Sequence, residues 1–223
     1  MARIRVTLGG LGPGVPMLLS RLAGMAERDG RRCAPLVLLI GAVFGVGLTR
    51  LLQGGLNLSA VQSLRLLVVA MLYLVGPLVV ALIVFTRLTP LWLRRARGGG
   101  ASAGWLTLGP AFLVGPPLLV HGLMGAVLGG VLTGAGGGIE VRLTEAIGAI
   151  SPLALLSALI RTALYLGASA LLCLWEARRL TLDRAGAEDL IASLIAREIA
   201  LLVGLKLVWT LAVNPITLPS LHV

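Results

Sequence analysis

The sequence is poor in what a soluble surface needs. Only 13% of its 223 residues are charged, and Asp and Glu together number 9. Set against a composition that is 57% hydrophobic, this scarcity excludes an ordinary soluble domain, which could not cover its surface with so few polar groups. Aromatic residues make up 4%, too few to interleave with the basic residues as a nucleic-acid surface requires, so no nucleic-acid partner is expected. Histidines number two, His121 and His222, and cysteines two, Cys33 and Cys173. With no CxxC and no Cys/His spacing, neither a disulfide framework nor a metal site is expected. No base–nucleophile pair can be built around the histidines, and no intramembrane constellation of carboxylate, histidine and serine is apparent, so the chain is not expected to be an enzyme. His121 is given a structural role. The glycine clusters Leu8–Gly14 and Gly98–Gly100 lack the GK[ST] of a phosphate loop, and no cofactor is expected. Any ATP hydrolysis therefore falls to another chain.

What the sequence has is apolar length. Five runs, 35–53, 65–86, 105–133, 152–175 and 190–213, lie near the ~20 residues a helix needs to cross ~30 Å of hydrocarbon. The reading is an all-α polytopic membrane protein of about five transmembrane helices. Residues 1–34 form an N-terminal cytoplasmic segment with an interfacial helix near Val15–Leu22, 35–213 the transmembrane domain, and 214–223 a short non-cytoplasmic tail. Pro110, Pro116 and Pro117 are expected to break the first turns of the third run, since each removes a backbone donor. Residues Gly134–Ile150 read as a loop with a short amphipathic piece.

The basic residues give an orientation. With the N-terminus in the cytoplasm, the inner segments hold thirteen arginines, Arg87, Arg94, Arg95 and Arg97 among them, against Arg50, Arg65 and Arg142 outside. This positive-inside bias places the C-terminus on the opposite face. Arg161, Arg197 and Lys206 fall within the spans, where a charge costs roughly 2.5–3.5 kcal/mol on insertion scales. Counted from the span ends, Arg50, Arg161 and Lys206 come out at a common depth, which makes them candidate lipid contacts, with snorkelling or local pairing as the alternative and Glu198 as a partner within the bundle. Gly41, Gly45 and Gly47, and Gly125, Gly129 and Gly130, have the small-xxx-small spacing that lets helices approach, within the subunit or against a partner.

The run from Gly76-Pro77 through Phe85-Thr86-Arg87 resembles the segment that closes the second helix of the Mla-type permeases, the membrane subunits of MCE-associated ABC lipid transporters. Arg161, then Cys173-Leu174-Trp175-Glu176, Ala185-Gly186 and Gly204-Leu205-Lys206, follow in the family's order and spacing, so that most of residues 15–213 is covered. The chain departs from the family at three places. Tyr73 and Leu74 replace an arginine–glutamate pair, Lys206 stands where the family has an acid, and the coupling segment between Arg87 and Pro110 is shorter. The resemblance implies a diverged, non-catalytic permease subunit in a bacterial inner membrane. Its implied partners are phospholipids, a second permease subunit, a cytoplasmic ATPase and an MCE-type lipid-binding protein, with Arg87, Arg94, Arg95 and Arg97 as candidate contacts to the ATPase. A structural or assembly subunit of a larger membrane complex is the alternative.

Overall fold

The computed structural model describes residues 15–98, 103–133, 138–179 and 187–212. The tail expected at 214–223, the cluster Leu8–Gly14 and the first turns of the N-terminal segment lie outside the described residues. Seven α-helices are described: α1 (Val15–Gly55), α2 (Ala60–Val69), α3 (Gly76–Gly98), α4 (Ala103–Thr133), α5 (Ile139–Gly148), α6 (Pro152–Arg179) and α7 (Ala187–Ala212). A π-helical turn, Ala70–Val75, joins α2 to α3.

Four stretches, Leu18–Gly55, Ala60–Gly98, Gly104–Thr133 and Pro152–Arg178, are long and apolar enough to cross a membrane. The chain is an all-α multi-pass membrane protein. The fifth expected run is helical as α7, but Arg197, Glu198 and Lys206 interrupt its apolarity and it is not one of these four. Two expected boundaries shift. The interfacial helix and the first span are one continuous helix, α1, which runs through Pro35 without a break. At 41 residues it is about 60 Å long, twice the hydrocarbon thickness, so its arginine-rich first half needs no separate element. The third run is likewise unbroken, with all three prolines inside α4. The amphipathic piece in the following loop is α5.

The link from α1 to α2 is a short turn. Asn57 adopts a positive φ of 52°, which an asparagine tolerates, and Ser59 then caps α2 in a reciprocal box with Gln62.

Helix α1 packs most extensively on α4, and the two run parallel. A β-carbon on Gly41 would lie 2.2 Å from the carbonyl oxygen of Gly122, and one on Gly45 2.0 Å from that of Ala126. From the other side, β-carbons on Gly125 and Gly129 would meet the carbonyl oxygens of Leu38 and Ala42 at 2.2 and 2.3 Å. The small-residue spacing thus serves packing inside the subunit, backbone against backbone. Gly47 takes no part, since nothing lies within 4 Å of its β-position. Helix α4 continues antiparallel against α6, where Gly115 approaches Leu166 and Thr162, and Gly167 receives the ring of Phe112. The largest side chains of the core, Trp92, Phe85, Tyr165 and Leu119, fill the space between α3, α4 and α6.

Because the passes alternate in direction, the first half of α1, the end of α3, the start of α4 and the end of α6 share one end of the bundle. That end is basic. A buried ion pair fixes α1 to α3 there: Arg95 clamps Asp29 with both guanidinium nitrogens, at 2.6 and 2.9 Å. At the opposite end Arg65 of α2 pairs with Glu145 of α5 at 2.9 Å.

Candidate functional site

The site is a seam of buried polar groups where α6 meets the π turn, α3 and α7. It starts from a backbone defect. In an α-helix the N–H of residue 77 would serve the carbonyl of Tyr73, and in the π register that of Leu72, but residue 77 is proline and has no N–H. The π turn itself is seen in the Gly76 N–H, which bonds back to Met71 O. No side chain fits at 76, because a β-carbon there would lie 2.3 Å from that oxygen. Two carbonyls in the middle of an apolar bundle are therefore left without their usual donor, a costly state where no water competes.

Arg161 supplies the donors. Its guanidinium bonds to Leu72 O at 2.8 Å and to Tyr73 O at 3.0 Å, and the residue is only 1% exposed. Lys206 of α7 donates its ammonium to the same Tyr73 carbonyl. The ring of Trp209, one turn beyond Lys206, lies 5.6 Å from the guanidinium carbon of Arg161 and adds a cation–π contact. Two cations thus share one acceptor, each with its own fixed hydrogen bond.

Four buried polar side chains follow one another on α6 at four-residue spacing: Arg161, Tyr165, Ser169 and Cys173. Four residues are a little over one turn, so all lie on one face. Helix α7 runs antiparallel along that face and is joined to it by polar as well as apolar groups. Arg197 pairs with Glu176, Ser169 is hydrogen-bonded to Glu198, and Lys206 reaches the π turn beside Arg161. Leu194 and Leu202 of α7 are buried in the apolar core, while Ile199, Val203, Leu207, Val208 and Leu211 are left exposed. Three side-chain atoms of the seam are buried with no partner among the described residues: Arg161 Nε, Tyr165 Oη and Glu198 Oε2.

The structure brings together two of the three residues expected at a common depth. Arg50 does not join them. It is exposed on α1, one residue past Thr49, which lies against Gly130 of α4, whereas Thr162, beside Arg161, lies against Gly115. Fifteen residues of α4 separate those levels, about 22 Å along the axis. The depth count failed because it measured α1 from residue 35, while its register is set by the glycine contacts with α4. Arg161 is buried against backbone, and Lys206, half-buried, donates to the same backbone. Of the four arginines expected to meet a cytoplasmic partner, Arg87, Arg94 and Arg97 are exposed at the basic end, and Arg95 is committed to Asp29.

Sequence reading missed Asp29, Tyr165, Ser169 and Trp209. The four-residue polar spacing on α6 was the available signal, and it was masked by the high mean apolarity of the run. No carboxylate–serine constellation was apparent in the sequence, yet the fold joins Ser169 to Glu198. Neither histidine has a place in it: His222 lies outside the described residues, and His121 sits on α4 with Nδ1 2.8 Å from Pro117 O. Among the described residues no three His, Cys, Asp or Glu side chains gather as a metal site.

Two apolar grooves flank the bundle. One, about 420 Å³, lies between α1 and α4 and is lined by Ala26, Glu27, Val114, Pro117 and His121. The other, about 490 Å³, lies between α4, α6 and Leu201 of α7, with Trp175 and Arg178 towards the basic end. Comparison with protein-family models, with curated proteins and with solved structures finds no match to this chain.

Proposed function

We propose that this chain is the permease-like subunit of an ABC-type phospholipid transport complex in a bacterial inner membrane, non-catalytic itself and paired with an ATPase on a separate chain. The observation that supports the reading is a convergence. Gly76-Pro77 and Arg161 carry the resemblance to Mla-type permeases, while Lys206 stands where that family has an acid; the side chains of Arg161 and Lys206, 88 and 133 residues from Tyr73, meet at the Tyr73 carbonyl just before Gly76-Pro77. A helix that changes register at a π turn in mid-bundle and is held there by side chains from two others is the kind of element on which transporters build a moving part. The apolar groove beside α7, with Trp175 and Arg178 at the basic end, has the chemistry of an acyl chain topped by an anionic head group. In this reading the basic end faces the cytoplasm, the N-terminus lies there and the C-terminus opposite. Arg87, Arg94 and Arg97 are the exposed cations available to an ATPase, and a second permease subunit and an MCE-type lipid-binding protein complete the assembly.

A second reading, a structural or assembly subunit that no longer transports, is favoured by one observation: Arg161, Lys206 and Arg95 are all bonded within the chain. Purification of the tagged chain from its native membrane, with mass spectrometry of the proteins and lipids that accompany it, separates the two. Recovery of an ATPase, a second permease, an MCE-type protein and phospholipid supports transport. Recovery of a stable assembly without an ATPase supports the structural role.

A further inference from the structure

Two acids are buried where α6 meets α7, and they are neutralised in different ways. Glu176 is ion-paired with Arg197. Glu198, the next residue of α7, is fully buried, and no cation among the described residues pairs with it. Arg197 is committed to Glu176, while Lys206, two turns along, and Arg161 are bonded to the carbonyls of the π turn. The groups lining this stretch from α6 are Tyr165, Ser169, Cys173 and Glu176, and from α3 Thr89, whose hydroxyl donates to Phe85 O at 2.5 Å.

The contacts of Glu198 bear on its protonation state. The Ser169 hydroxyl lies within donating reach of two acceptors, Tyr165 O at 2.7 Å and Glu198 Oε1. A hydroxyl has one hydrogen and two lone pairs. One hydrogen cannot serve both acceptors; when it stays on Tyr165 O, the contact with Glu198 Oε1 needs a hydrogen from the carboxyl itself, which only the protonated acid has. The second oxygen, Oε2, points the same way. It is buried with no donor, which a neutral acid tolerates far better than an unpaired carboxylate.

We propose that Glu198 is an intramembrane proton-binding site, occupied at neutral pH, in which the carboxyl O–H donates to Ser169 Oγ and links α7 to α6. The bound proton does here what Arg197 does for Glu176. When it leaves, the Ser169 hydroxyl must turn from Tyr165 O to bridge the seam, and a carboxylate with no paired cation among the described residues is left buried there.

Infrared spectroscopy of the full chain in phosphatidylcholine vesicles tests this directly. The difference spectrum between wild type and Glu198→Gln at neutral pH should contain the C=O stretch of a protonated carboxyl, and that band should shift in Ser169→Ala, which removes the acceptor. A difference spectrum that holds only carboxylate stretches overturns the proposal. Should Glu198→Gln fail to insert, dicyclohexylcarbodiimide on the wild type decides. This lipid-soluble reagent takes up the acid's proton on nitrogen while the carboxyl oxygen adds to its central carbon, and the adduct rearranges to an N-acylurea that keeps the whole reagent. Peptide mapping should find it on Glu198 and not on Glu176. Label confined to other acids, or no label at all, overturns the proposal.

Discussion

The guanidinium of Arg161 is bonded at 2.8 Å to the carbonyl oxygen of Leu72, an acceptor 89 residues earlier that the ring of Pro77 leaves without a donor. Cation and proline are two halves of one device. Replacing Arg161 by Leu leaves the Leu72 carbonyl unsatisfied, while Tyr73 O keeps Lys206, and should lower stability by roughly 1–3 kcal/mol, the cost of one such group. Pro77→Ala restores an N–H at the break and should recover part of that loss when combined with Arg161→Leu. Thermal unfolding of the four proteins in detergent gives the coupling, expected at about 1–3 kcal/mol for groups sharing one network. Strict additivity would separate the arginine from the proline and sink the account.

The glycine contacts between α1 and α4 predict a sharp difference between neighbours. Gly45→Ala puts a methyl group 2.0 Å from a backbone oxygen, and relief requires the helices to part. A loss of about 1–3 kcal/mol is expected, as for other overpacked sites. Gly47→Ala meets nothing within 4 Å and should be neutral or slightly stabilising, because alanine is the better helix former. Melting temperatures of the two variants that fall together would refute the interlock.

The ion pair at the basic end should behave as a buried one. Asp29 has 3% of its side chain exposed and Arg95 16%, so removing one partner strands the other. Asp29→Ala should cost roughly 3–5 kcal/mol, whereas Asp29→Leu combined with Arg95→Met should recover much of it. Because the pair is shielded from solvent, its contribution measured by urea unfolding should change little between low and high salt. A strong salt dependence would show that the pair is open to water.

Arg87, Arg94 and Arg97 carry no such internal duty. Replacing all three by Gln should leave stability within about 0.5 kcal/mol per site, as at other exposed positions, and should weaken capture of a cytoplasmic partner. Unchanged capture, measured by quantitative co-purification against the wild type, would remove them from that interface.

Much of the fold was open to sequence reading because lipid imposes length and apolarity on anything that crosses it. The spans now seen as α1 to α4 and α6 follow from that requirement alone. Helix ends were less legible. The three prolines of α4 suggested breaks, but a proline removes only one hydrogen bond, and neighbouring helices hold the rest of the helix in place. Rotation and register were not legible at all, because hydropathy along a chain does not say which residue of one helix meets which residue of another. Arg50 was misplaced for that reason. Arg161 and Lys206 were found as unusual charges, while their ligands, being backbone carbonyls, left no mark in the side-chain sequence except Pro77. Ser169 and Glu198 lie 29 positions apart on two helices, and only the antiparallel turn-back between them brings them together.

Helices α1 and α4 touch backbone to backbone, whereas α7 meets its neighbours through side chains, a few polar arms and the buried Leu194 and Leu202. Direct backbone contact resists bending and sliding at every turn, but a helix joined through side chains can tilt when any one of its polar arms changes charge or partner. The molecule therefore has a stiff half and a compliant half. Work done by a partner at the basic end would be transmitted by the first and absorbed as displacement by the second, which makes the α6–α7 gap the place to put a pair of distance probes.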